Sequence, residues 1–224
     1  MHYIILVDQD GQTCLWADTF PPLHFVRKTC FDSNATDSMK PNFFINKNLE
    51  GVLLMSRPLG KNEMTILRST NDGRFWFDVE FVYPAGSNSK QSANFDFRLH
   101  DPDSVPKDLN WIDIQYGHTD DGLQPFITLN GGHLWRPIPR TNSKVVILNF
   151  EYVILSVDID VNGINYSFDY SATWFRLDLF KNKPNVLFIG RVPETDLKAV
   201  IVTSEHGVDS LKFITLDFSP IFSL

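Results

Sequence analysis

Residues 156–170 read Ser-Val-Asp-Ile-Asp-Val-Asn-Gly-Ile-Asn-Tyr-Ser-Phe-Asp-Tyr, and their apolar and polar side chains alternate as in extended chain. Asn162-Gly163 divides two such runs. Both central residues of a type I′ turn need positive φ, which Asn and Gly tolerate best, so the stretch predicts a tight β-hairpin. In that register Val161 faces Ile164, Ile159 faces Tyr166 and Val157 faces Phe168, while Asp158, Asp160, Asn165, Ser167 and Asp169 share the other side. One apolar and one acidic face is the pattern of an antiparallel sheet that covers a core on one side only.

The same stretch has a metal-like spacing. Asp158-x-Asp160-x-Asn162-Gly163 and Asp169 match the first, third, fifth, sixth and twelfth positions of an EF-hand-like calcium loop. Both flanks alternate as strands where an EF-hand needs helices, and the closing residue is Asp169 instead of a bidentate Glu. A hairpin also strings Asp158 and Asp160 along a ribbon, not around one point. The expectation is therefore a plain hairpin, with no metal and no cofactor.

Working outward, Tyr3 to Val7 and Thr13 to Trp16 flank Asp8-Gln9-Asp10-Gly11 as a first hairpin. Residues 17–48, with Pro21-Pro22, Pro41 and a polar cluster at 32–38, read as an irregular surface excursion. Short strands follow at Gly51 to Ser56 and Met64 to Arg68. From Phe75 to Tyr83 the alternation predicts one core strand with Phe75, Phe77, Val79, Phe81 and Tyr83 inward and Trp76, Asp78 and Glu80 outward. Trp111 to Tyr116 resumes the pattern. Phe126 to Leu129 and His133 to Trp135 flank Asn130-Gly131-Gly132 as a bulged hairpin. Continuous apolar runs at Val145 to Leu148 and Val186 to Ile189 suit buried strands, and Trp174 to Phe180, Leu197 to Thr203 and Leu211 to Phe218 alternate again. No fixed-period repeat is visible. The reading is an all-β chain folded as a single-domain β-sandwich over residues 1–224, with jelly-roll-like antiparallel sheets.

Composition narrows the function classes. A hydrophobic share of 43% with 19 Phe, 5 Trp and 6 Tyr among 224 residues supplies a sizeable core. A net charge of −7 with scattered Lys and Arg argues against nucleic acid as a partner. The N-terminal Met-His-Tyr-Ile-Ile-Leu-Val-Asp lacks a basic region and has a short aliphatic run, so neither a secretory signal nor a membrane span is read there, and the expected compartment is the cytoplasm. Cys14 and Cys30 are too few for a disulfide scaffold, and two reduced thiols are the default.

Three strands place an indole on their more polar face: Trp76 beside Asp78 and Glu80, Trp111 beside Asp113 and Gln115, and Trp174 beside Arg176 and Asp178. Sugar rings stack their C–H faces on flat aromatics while their hydroxyls need carboxylate, amide or guanidinium partners, so such a strip suits a glycan platform. Large aromatics also favour pleated surfaces for packing alone. Asp78 and Glu80 point the same way on a strand, as the paired carboxylates of a polysaccharide-active enzyme would, and also as any solvated strand face does. Gly131-Gly132-His133-Leu134-Trp135-Arg136 gathers an imidazole, an indole and a guanidinium near a turn. No nucleophile elbow, phosphate loop or zinc pattern is present. The expectation is a non-enzymatic glycan-binding protein using Trp76, Asp78, Glu80, Trp111, Asp113, Trp174 and Arg176. The rival readings are a self-assembling structural protein, in which a homo-oligomer or another protein buries the aromatics, and an enzyme on the same face.

Overall fold

The computed structural model describes residues 2–19, 24–31, 42–58, 64–84, 93–100, 105, 109–149, 152–205 and 210–222. Among them, strands dominate, and helix is confined to a 3-10 turn at Phe97–Leu99 and four residues at Ser219–Phe222. The strands form five sheets. The first contains β1 (Tyr3–Val7), β2 (Thr13–Thr19) and β3 (His24–Phe31); the second β4 (Asn42–Ile45), β5 (Leu53–Pro58), β6 (Met64–Ser69) and β7 (Phe77–Asp78). In the third, β8 (Glu80–Phe81) runs parallel to β12 (Leu134–Pro137), which continues through β11 (Gly122–Thr128) and β10 (Asp113–Thr119) to β9 (Asn94–Phe95). The fourth contains β13 (Val146–Leu148), β14 (Val153–Val157), β15 (Gly163–Ser167) and β16 (Phe175–Asp178); the fifth β17 (Asn185–Arg191), β18 (Lys198–Ser204) and β19 (Leu211–Asp217).

The all-β expectation holds, with antiparallel pairing in every sheet. The pairing does not show the two large sheets of a sandwich, because strands adjacent in sequence pair into successive small meanders. Consecutive sheets then pack on one another. Phe31 of the first meets Phe43 of the second and Trp76, the residue just before β7. Leu54 and Ile66 of the second share a core with Phe95, Phe126 and Trp135 of the third. Ile114 and Ile127 of the third meet Ile147 and Ile154 of the fourth, whose opposite face puts Leu155 and Ile164 against Ile189 and Ile201 of the fifth. This is why β14 is buried along its whole length: its sheet has neighbours on both faces.

Three readings from sequence change. The passage 17–48 holds the end of β2 and all of β3 and β4, while residues 20–23 and 32–41 lie outside the described residues. The single core strand over 75–83 is divided: Phe77–Asp78 pairs with β6, Glu80–Phe81 pairs with β12, and the segment steps from one sheet to the next. Val79, Phe81 and Tyr83 pack on the core, but Phe75 and Phe77 are 66% and 63% exposed, because the inward face begins only after the step. Cys14 and Cys30 are joined as a disulfide, since the register sets them directly opposite across β2 and β3.

The hairpin at 156–170 forms in a shifted register, with Val157 opposite Ile164 and Leu155 opposite Tyr166. The turn lies earlier than Asn162-Gly163: Val161 N donates to Asp158 O at 2.9 Å, and Val161 itself takes positive φ. Gly163 is instead the first residue of β15, where a Cβ would run into the backbone of Leu177 and Asp178 on β16. The shift is even, so the faces survive it. Ile164, Tyr166 and Phe168 remain together on the core side, and Ser156, Asn165 and Ser167 on the other.

Candidate functional site

One local structure occurs three times among the described residues. Ser69-x-Asn71-x-Gly73-x-x-Trp76 follows β6, Thr128-x-Asn130-x-Gly132-x-x-Trp135 follows β11, and Ser167-x-Asp169-x-Ser171-x-x-Trp174 follows β15. In each, the first hydroxyl donates to the Asn or Asp Oδ1 at 2.9–3.0 Å and accepts the amide of the fifth residue at 2.9–3.1 Å. The same Oδ1 accepts the amide of the seventh residue, Phe75, Leu134 or Thr173. The indole Nε1 closes the turn, donating to Gly73 O and Gly132 O at 3.0 Å and to Ser171 Oγ at 3.2 Å. Each turn thereby satisfies the amides of its fifth and seventh residues with its own side chains.

The reading that no fixed-period repeat is present stands, but it passed over this recurring turn. The three copies begin at 69, 128 and 167, an unequal spacing that hides them from a search for a fixed period. The missed signal is the hydroxyl, the Asn or Asp two residues on, and the Trp at the end of every copy.

The second and third turns bound a cavity of about 310 Å³, lined by Ile127, Leu129, Asn130, Leu134, Arg136 and Tyr170. Arg136 Nη1 donates to Tyr170 O at 2.9 Å, tying one turn to the other. Its Nε is buried and has no hydrogen-bond partner among the described residues. Tyr170 packs against Tyr152 at 5.6 Å between ring centroids, the two rings tilted by 45°. The far side of the second turn is anchored by Arg68, whose Nε donates to Gly131 O at 2.6 Å, and burial pulls the Arg68 pKa below its ordinary value. In the third turn, burial raises the Asp169 pKa, but hydrogen bonds from Thr173 and Ser167 outweigh it and hold the carboxyl below its usual range.

The residues singled out from sequence are dispersed. Trp76 and Trp174 are turn-closing indoles, packed respectively on Phe31 and Phe43 and on the core between the third and fourth sheets. Trp111, 40% exposed, precedes β10, and its carbonyl accepts the Gly131 amide at 2.7 Å, which places it against the second turn. Asp78 and Glu80 are exposed on different sheets. Asp113 is buried, accepting from Gln115 Nε2 and the Ile114 amide and paired with His100 Nε2 at 3.0 Å. Arg176 lies 3.1 Å from carboxylate oxygens of both Asp158 and Asp178. With Asp158 paired to Arg176 and Asp169 held by its own turn, the acidic residues of the expected hairpin do not converge. His133 is exposed and Trp135 fully buried, so of the three groups singled out in that run the Arg136 guanidinium side chain lines the cavity, together with Leu134.

No family model matches the chain, and no curated protein matches it. Among solved structures it is similar to the GH74 enzyme of Niastella koreensis at 12% identity and a TM-score of 0.38, with 95% of this chain covering 34% of that one. YCF48 bound to D1 peptide gives 12% identity and 0.38, covering 96% of this chain and 64% of the other. YCF48 from Cyanidioschyzon merolae gives 10% and 0.33, covering 97% and 73%. The chain thus spans about a third of the first of these proteins. Likeness of this degree leaves function to the chain's own residues. Among the described residues, no helix is long and apolar enough to cross a membrane.

Proposed function

We propose that the chain is a non-enzymatic binding protein for carbohydrate, with the ligand seated between the second and third turns. The observation that carries this reading is the cavity: its volume falls at the lower end of small-ligand pockets, which run from about 300 to 1,000 Å³. Ile127, Leu129 and Leu134 offer apolar walls for the C–H face of a sugar ring, with Tyr170 beside them. Arg136 and Asn130 bring the polar groups, a guanidinium and an amide suited to ring hydroxyls or a carboxylate. Trp111, 40% exposed, is bound through its carbonyl to Gly131 of the same turn but does not line the cavity. Neither Asp78 nor Glu80 lines the cavity, which favours binding over hydrolysis.

The architecture that fits this reading is blade-like: sequential antiparallel meanders packed face to face, as in β-propellers, with a ligand between neighbouring blades. A glycan array followed by calorimetry tests the function. Arg136→Ala and Tyr170→Ala should each weaken a glycan hit at least about tenfold, a loss of about 1.4 kcal/mol, while Trp76→Ala leaves affinity unchanged in the folded protein. An array without hits, or equal affinity in all variants, rejects it.

A second reading, self-assembly, is favoured by the end sheets. In the fifth sheet Phe188, Val202 and Phe213 are paired across one face, with Phe213 67% exposed, and in the first Ile4 and Leu6 are exposed on β1. Light scattering over a concentration series separates the two: a single monomeric mass supports the binder alone, and growth in mass supports assembly.

A further inference from the structure

We propose that Asp8, Cys14 and Cys30 form a redox-gated seat for a soft divalent metal ion of the zinc class, occupied when the Cys14–Cys30 disulfide is reduced. The three side chains place a carboxylate oxygen and two sulfurs within 4.8 Å of one another. Three separate features bring them together. Cys14 and Cys30 are direct partners across β2 and β3, so both sulfurs leave the same face of a rigid ladder. Asp8 stands at the turn between β1 and β2. Its Oδ1 is held by the amides of Asp10 at 3.0 Å and Gln12 at 2.8 Å, which fixes the carboxylate and turns Oδ2 toward Cys14 Sγ at 3.7 Å.

Thiolate–zinc bonds of about 2.3 Å and carboxylate–zinc bonds of about 2.0–2.2 Å put the ligand atoms of a tetrahedral site roughly 3.3–3.8 Å apart. The three ligand atoms, all within 4.8 Å of one another, lie on the scale of that spacing. Two sulfurs and one carboxylate occupy three positions and leave the fourth to water, the arrangement of an open zinc site. Cys14 is buried and Cys30 half-buried, so the ion would enter from the Cys30 side.

The disulfide and the metal are mutually exclusive, because each uses both sulfurs. A dithiol or a glutathione pair supplies two electrons and two protons: the S–S bond breaks, two S–H bonds form, and the reductant leaves as its own disulfide. Metal binding then forms two metal–sulfur bonds and releases both thiol protons to solvent. Glutathione disulfide, a two-electron oxidant, reverses the step: its S–S bond breaks to give two thiols with two protons from solvent, the Cys14–Cys30 bond re-forms, and the ion is released. The carboxylate changes no bond in the redox step; it positions and completes the site.

Cobalt(II) titration of the whole chain, reduced with a phosphine under argon, tests this through the sulfur-to-cobalt charge-transfer absorption in the near ultraviolet. The expected result is a band that saturates at one ion per chain in reduced protein, is missing from oxidised protein, is lost in Cys30→Ser and is weakened at least about tenfold in Asp8→Asn. Far-UV circular dichroism on the same samples covers loss of fold. If reduction unfolds the chain, recovery of the β spectrum on adding zinc supports the site, and failure to recover overturns it. A folded, reduced chain without the band, or a band equally strong in Cys30→Ser, also overturns it.

Discussion

Trp135 Nε1 donates to the carbonyl of Gly132, three residues before it, at 3.0 Å, and Trp76 holds the same bond to Gly73. The two indoles differ in what surrounds them: Trp135 is fully buried among Phe95, Phe126 and Phe81, whereas Trp76 is half-buried beside Phe31 and Phe43. Trp135→Ala should therefore cost about 3–5 kcal/mol by urea denaturation, and Trp76→Ala less. Equal losses would mean that the turn bond, common to both, outweighs burial.

Phe77→Ala should change stability by less than about 0.5 kcal/mol, because the ring is 63% exposed. Phe126→Ala, at a fully buried position between the second and third sheets, should cost about 3–5 kcal/mol. Thermal melts of the pair check whether the inward face starts after the step at residue 79. A large loss at Phe77 would restore the undivided core strand.

Gly163→Ala should destabilise by about 1–3 kcal/mol, since the added methyl meets the backbone of β16, which has no rotamer by which to yield. In a tight Asn-Gly turn the cost would instead come from positive φ, and Asn would substitute well. Gly163→Asn therefore discriminates: it should be at least as damaging as Ala, and a near-neutral Asn variant would argue for the turn.

Asp169 does in the third turn what Asn71 and Asn130 do in the others, but with a charge. A carboxyl whose folded pKa lies below its unfolded value contributes stability that is present above about pH 4, near the unfolded pKa, and is lost as pH falls through the folded value. Asp169→Asn should thus melt below wild type at about pH 6, with the gap narrowing toward about pH 3. Melting temperatures at the two pH values decide it, and a gap independent of pH would show that the charge contributes nothing.

Local patterning alone carried the all-β class and many of the strand faces, though not β3 and β4 within 17–48. Alternation at 113–119, 164–168 and 198–203 is a local property, and it survives a change of register because an even slip preserves the side on which each residue falls. It also contained, unrecognised, the three turns, whose hydroxyl, amide or carboxylate, and indole act within eight residues. Which sheet covers which was not local. Residues 75–83 alternate without a break, yet pair first with β6 and then with β12, because the two sheets compete for one strand and burial in the larger core decides where it turns inward. Gly163 was taken from the turn and placed against β16 for the same reason: only a neighbouring strand, absent from any local window, makes the missing Cβ necessary. Only the packing of successive sheets brings Arg136 against Tyr170, and only the pairing of β2 with β3 sets Cys14 opposite Cys30. Such contacts join residues distant along the chain, and their partners are selected by apolar area buried between sheets, a quantity that exists only once the sheets have met.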